Sequence, residues 1–331
     1  MSVDDGIREF WTWWATARDR VVNAIEVERG FSDELVADIG ARVDAIGDLD
    51  WEMCPGATAK HAFCLSPRGS PEARVLTELW RHRGPAADET WEYYAARQGR
   101  PGTTLEIDGV TLDREDMLVA LEVDTDRERV DATYFHPTFP DLPEERRMMA
   151  LYLLLDGALG EDDVERWLGG IELATEEPEE AVPFGAFLDA VGELRANATG
   201  ESFAVLQGET EAGEPLFVSC NMALKRIDHL LHTMHVAIDL AILDQNDQGL
   251  TTNDDAEKLN AIEDELSAAL GNLAVYFGRE TRPGHRVLHW YAPEDSGAQA
   301  IIERWAAQHA DRAPHIDWIR DPTWEFTSRY V

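Results

Sequence analysis

The side chains whose types and spacing could do chemistry gather between Cys220 and Asp255. One group is the loop that begins at Asp244. Asp244 at the first position, Asn246 at the third, Gly249 at the sixth and Asp255 at the twelfth match the oxygen-rich spacing of a calcium loop. Gln248 stands where a short acid is usual, and Asp255 is too short for the bidentate glutamate role. A glycine turn followed by a helix cap accounts for the same residues. The second group is His229, His232 and His235. A spacing of three puts His229 and His232 on one helical face, whereas the zinc metalloprotease pattern needs a spacing of four with a glutamate between. His235 belongs to the strand that follows, and Cys220 is the thiol that could complete a zinc set with these rings. A metal-assisted hydrolase using Asp244, Asn246 and Asp255, or the three histidines, is therefore the catalytic alternative. Nucleophile and phosphate motifs are absent from the sequence: there is no G-x-S-x-G, phosphate loop or dinucleotide fingerprint. The three cysteines, Cys54, Cys64 and Cys220, sit in apolar, strand-like contexts and form no C-x-x-C pair. No cofactor is implied.

The elements that must position these groups are read from periodicity. Residues 235–243 form an apolar, β-branched run. A polar loop leads to a helix in which Ala256, Leu259, Ile262, Leu266 and Leu270 share a stripe, while Asp254, Glu257, Asp264 and Glu265 point away. Thr252 is its expected cap, with Asp255 as a capping-box-like partner, and Gly271 its stop. Two strands joined through Pro283-Gly284 come next, then a helix carrying Ile301, Ile302 and Trp305, and a last strand around Ile316. The order is βαββαβ, a ferredoxin-like plan with two helices on one face of an antiparallel sheet. Tyr276, His289 and Tyr291 are expected on the face opposite the helices, packed on the N-terminal domain or on a partner.

The first part of the chain reads as an amphipathic helix over residues 7–26 and a second helix capped by Ser32. Two strands follow, then a helix opened by Ser70 and Pro71, and a strand at residues 90–97. This α-β-β-α-β order echoes the C-terminal plan without its first strand. Trp51 lies 40 residues before Trp91, and Val275 lies 41 before Ile316, which suggests an internal repeat. A hairpin turning at Asp108-Gly109, two more strands, a helix over residues 144–159, a strand from Trp167 and a short helix from Phe184 lead to the linker-like residues 195–200. A further hairpin, residues 203–207 with residues 216–221, precedes the C-terminal unit. The fold class is α+β with two domains, residues 1–196 and residues 197–331. The first is an elaborated αββαβ-containing domain related to the ferredoxin-like second.

The chain has 331 residues, 65 acidic against 29 basic, for a formal charge of −36. Only Lys60, Lys225 and Lys258 are lysines. Such a field repels phosphate backbones and anionic lipid, which argues against nucleic acid and membrane surfaces as partners. It suits either a saline host or a basic protein partner. No apolar run reaches membrane length, and the aromatic opening after Asp4 and Asp5 lacks the basic start of a signal peptide, so the expected setting is cytoplasmic. The expected role is a non-catalytic binding or regulatory one toward a protein. Glu257 and Glu265 on the outer side of the helix, the acidic loop at residues 176–180, and the Tyr276, His289, Tyr291 face are the candidate contacts.

From Phe203 onward, the stretches NMALKRIDHLLH, QGLTTNDDAEKL, EDELSAALGN, VYFGRETRPGHRVLHWYAP and AQAIIERW resemble a bacterial family known as the domain of unknown function number 695. That family is similar in outline to the regulator of ribonuclease E activity B, a small acidic protein inhibitor. The earlier stretches FWTWW, WEYYAARQ, LEIDGVTLDREDM and LYLLLDGALGEDDVERW resemble other uncharacterised bacterial proteins. The resemblance implies an α+β fold in a bacterial or archaeal cytoplasm, and it brings no catalytic residues.

Overall fold

The computed structural model describes every residue except Met1, Pro101, Thr103, Asp108 and Val331. Helices and sheets are mixed throughout, and the chain divides into two compact units. The first comprises Met1–Glu122 and Val130–Val191, the second Val123–Arg129 and Gly192–Val331.

In the first unit, α1 (Val3–Asn23) starts at Ser2, whose hydroxyl accepts from the Asp5 amide, and ends in a π turn, Ala24–Glu28. Ser32 caps α2 (Asp33–Asp44) in the same way, through the Leu35 amide. Then come β1 (Asp50–Pro55), β2 (His61–Ser66), α3 (Pro71–His82) and β3 (Trp91–Tyr94). Phe10, Trp14, Phe63, Trp80 and Trp91 are all fully buried in one aromatic core between the helices and this sheet. The hairpin of β4 (Thr104–Ile107) and β5 (Val110–Asp113) turns at the expected place; Gly109 has a positive φ of 79°, and Asp108 lies outside the described residues. After β6 (Leu118–Asp124) and β7 (Arg129–Phe135) come α4 (Glu144–Leu159), α5 (Glu161–Trp167), β8 (Leu168–Ala174), β9 (Val182–Pro183) and α6 (Phe184–Asn197). The second sheet of this unit is ordered β8-β7-β6-β9. Helix α5 and strand β9 were not expected from the sequence. Nor was the length of α6, which runs through Arg195, Ala196 and Asn197, so half of the linker-like stretch is helical.

The second unit is built on one six-stranded sheet. Its elements are β10 (Phe203–Glu209), β11 (Pro215–Asn221), β12 (Met234–Ala241), α7 (Asn253–Leu270), β13 (Val275–Arg282), β14 (His285–Ala292), α8 (Ala298–Gln308) and β15 (His315–Arg320). The order is β10-β11-β13-β14-β12-β15, and every neighbouring pair is antiparallel. Val236, Ile238 and Leu240 from β12 and Leu288 and Trp290 from β14 pack on Leu259 and Leu266 of α7 and Ile302 and Trp305 of α8. Both helices thus lie on one face. The hairpin β10–β11, expected ahead of the unit, is part of its sheet through β11 and β13.

The expected repeat does not survive in its strict form. In the second unit β15 pairs with β12, which lies between it and β14. In the first unit β3 pairs directly with β2, in parallel. With no strand between them in this sheet, the β2–α3–β3 crossover brings its two parallel strands side by side.

Candidate binding faces of the C-terminal unit

The register of β13 against β14 decides which side chains share a face. Through the Pro283-Gly284 turn, Arg282 stands opposite His285 and Gly278 opposite His289. An unbroken ladder would set Tyr276 opposite Tyr291. A bulge between Tyr276 and Gly278 shifts the register by one residue, so Tyr276 pairs with Trp290 and Val275 with Tyr291. Tyr276 therefore turns to the helix side, separated from His289 and Tyr291. Its hydroxyl donates to Glu263 of α7. Arg279 Nη1 donates to the same carboxylate at 2.9 Å and to Asn260 Oδ1 at 3.1 Å, and Arg286 Nη1 reaches Asn260 Oδ1 at 2.8 Å. Burial, with the Glu263 charge beside it, pushes the Tyr276 phenol well above its ordinary range. These residues form a polar seam between sheet and helix that periodicity did not reveal, because Glu263 is buried within a stripe read as apolar.

His289 and Tyr291 do face away from the helices, but the chain covers them itself. Residues 321–330 cross this face as a strap. Asp321 accepts from the Tyr291 hydroxyl at 2.7 Å and from the amides of Glu325 and Phe326. Trp324 stacks on Tyr291 with ring centres 4.0 Å apart, and its indole N–H donates to the His232 carbonyl. Phe326 lies over both His235, at 4.2 Å, and His289, at 4.3 Å. Tyr330 donates to Glu280. The signal for this strap was present in the aromatic spacing of Trp324, Phe326 and Tyr330, but only the fold shows what those rings cover.

The three histidines do not act as a set. His229 and His232 stand 5.3 Å apart ring to ring, and His229 stacks on Trp324. His235 has joined β12, where its Nε2 lies 3.1 Å from His289 Nδ1. Burial holds His232 and His235 down to about 4 and His289 to about 3. Cys220 is buried on β11 beside Val218 and Phe277. Among the described residues, no group of three or more His, Cys, Asp or Glu side chains is placed to hold a metal ion.

The loop before α7 folds on itself. Asp244 accepts from the Thr252 hydroxyl at 2.8 Å, and Asn246 Oδ1 accepts from the amides of Gln248 and Leu250. Thr252 caps α7 through the Asp255 amide. The Asp255 carboxylate does not reach back to complete a capping box. Both its oxygens are taken by Arg312, at 2.7 and 2.8 Å, in a fork with the pair only 1% and 3% exposed, and one also accepts from the Leu243 amide. Arg312 holds the Asp255 carboxyl below its usual range. The acids expected on the outer side of α7, Asp254, Glu257, Asp264 and Glu265, are all exposed, with Lys258 the one cation of that helix. Glu265 also accepts from His309 Nε2 at 3.2 Å.

Glu92 and Asp156 of the first unit are strongly perturbed carboxyls that the sequence does not single out. Glu92 is buried in the curl of residues 57–59. Burial opposes its charge, but donations from Thr58, Tyr94 and the Ala57 and Ala59 amides bring it down to about 2. Asp156 on α4 is pushed up to about 7 by burial and by the Glu161 charge. Glu161 itself ties α5 to the first sheet through the Ser66 hydroxyl and the Arg97 amide.

Residues 210–330, which span the strap and all of the sheet but β10, match a family of unknown function, DUF695. No curated protein and no solved structure matches the chain.

Proposed function

We propose that this protein is a non-catalytic binding or regulatory protein whose C-terminal unit takes a basic segment of another protein. The observation that carries the reading is the exposed acid surface of that unit. Asp254, Glu257, Asp264 and Glu265 line the outer side of α7, and Glu201, Glu209, Glu211 and Glu214 line the β10–β11 hairpin, in a chain of charge −36. Acid fields of this kind speed encounter with basic partners and repel anionic ones. Strand order β13-β14-β12-β15 with α7 and α8 on one face supports a ferredoxin-like plan for the unit, extended by β10 and β11. A cytoplasmic, inhibitor-type role, of the kind implied by the resemblance in outline to the regulator of ribonuclease E activity B, is part of this proposal. A saline host is the second source of the same acidity, and salt separates the two. Titration with a labelled polylysine peptide and with a polyglutamate control tests the reading. Binding of polylysine alone at low salt, weakened in the Glu257→Lys, Glu265→Lys double variant, is the expected result; indifference to the sign of the peptide would overturn it.

A further inference from the structure

Strand β10 closes the six-stranded sheet on one side, with β11 as its neighbour. Its ladder runs unbroken from Phe203 opposite Asn221 to Glu209 opposite Pro215. Edge strands are ordinarily blunted by proline, lysine, a bulge or an inward charge. Residues 203–209 contain no proline and no cation, their one charge is Glu209 at the last position of the strand, and the pairing with β11 has no bulge. The opposite edge, β15, is blunted: it carries His315, Asp317 and Arg320 and runs into Asp321-Pro322. On β10, Phe203 and Val205 stand on the helix side of the sheet, where Phe203 reaches Tyr276, yet they remain 55% and 73% exposed. Apolar side chains so placed on an unpaired edge strand are what an added strand would cover.

Charge selects the occupant. Between Ala196 and Leu224 there is no lysine or arginine, and Glu201, Glu209, Glu211 and Glu214 are exposed. A second copy of this chain pairing edge to edge would set its own glutamates against these, which like-charge repulsion opposes. We propose that the β10 edge takes an extended basic segment of another protein as a seventh strand, with apolar or β-branched residues over Phe203 and Val205 and lysines or arginines at both ends. Glu201 lies two residues before the start of β10 and Glu209 is its last residue, which places the basic ends of the added segment beyond Phe203 at one end and beside Glu209 at the other.

The proposal rests on the binding reading above and gives it a site, so the test keeps the two apart. The probe is a short synthetic peptide with a Thr-Val-Thr-Val core and two lysines at each end, titrated at low salt into the full chain, the Val205→Lys variant and the Glu257→Lys, Glu265→Lys variant. Val205 is largely exposed, so a lysine there leaves the core intact while charging the edge. The expected result is a dissociation constant at least about tenfold weaker for Val205→Lys, together with hydrogen-exchange protection of the β10 amides in the wild-type complex. Equal binding to Val205→Lys with β10 amides unprotected overturns the edge site and leaves the basic-partner reading standing. Failure of this peptide and of polylysine to bind at low salt overturns both. A dimer in sedimentation with protected β10 amides assigns the edge to a second copy and overturns the proposal.

Discussion

At the scale of single residues, the chemistry-bearing side chains mostly answer one another. Asp255, which spacing placed in a calcium loop or a capping box, is instead held by Arg312, 57 residues further on. That partner is not legible from the sequence, since a buried pair of this separation is set by where α7 and the turn after α8 meet. Removing one member leaves the other charged and buried, so Arg312→Met is expected to destabilise the unit by about 3–5 kcal/mol. Denaturant unfolding checks this; a loss under about 1 kcal/mol would show that Asp255 finds water or another donor.

The buried histidines give a pH dependence with a definite sign. Folded, His232 and His235 titrate near 4 and His289 near 3, against 6.5 for the ordinary group. As pH falls through 6.5 the unfolded chain takes up protons that the folded chain refuses, so stability is full above 6.5, declines below it and levels off beneath about 4 to 3. Asp156, raised to about 7, works the other way between about 7 and 3.8, but it lies in the other unit. Hydrogen exchange of the β12 and β14 amides isolates the effect. The decline is expected in the wild type and should be flattened by His235→Leu with His289→Leu; an unchanged slope in that variant would contradict it.

At the scale of elements, capping and stripe patterns were legible and face assignment was not. Ser32, Ser70 and Thr252 cap the helices that their sequence positions announce, because a cap is a contact between residues three apart. The α+β order of the C-terminal unit was legible for a similar reason. The grouping of Tyr276 with His289 and Tyr291 failed because one bulged residue reverses which way a strand's side chains point. Gly278 was the available signal. A side chain on it would meet the Ser219 carbonyl oxygen at 2.3 Å and Cys220 Cα at 2.7 Å, so β11 approaches β13 closely only because that position is glycine. Gly278→Ala must push β11 away and is expected to cost about 1–3 kcal/mol, measured by denaturant unfolding. A neutral effect would mean that the sheet accommodates the methyl group by opening at that point. The strap over His289 and Tyr291 was illegible for a different reason: aromatic residues at a chain's end announce burial without saying against what.

At the scale of the whole molecule, charge dominates. The arginines are spread over local ion pairs, such as Arg20 and Arg42 on Asp38 and Arg68 on Asp48 and Asp50, and the net −36 remains. Exposed charges more than about 10 Å apart are screened at ~0.1 M salt, so moderate salt should relieve stored repulsion and raise the melting temperature by a few degrees. Scanning calorimetry across a salt series checks this, and a falling melting temperature would show that local ion pairs outweigh the repulsion. A complex with a basic segment must respond in the opposite sense, because salt screens the attraction that forms it. The most direct measurement is therefore the association rate of a lysine-rich peptide with the intact chain, followed by stopped-flow anisotropy from low to physiological salt. The rate should fall by on the order of tenfold or more across that range, and the Glu257→Lys, Glu265→Lys variant should start slower and fall less. A rate that ignores both salt and charge reversal would contradict the assignment of the acid surface to a basic protein partner.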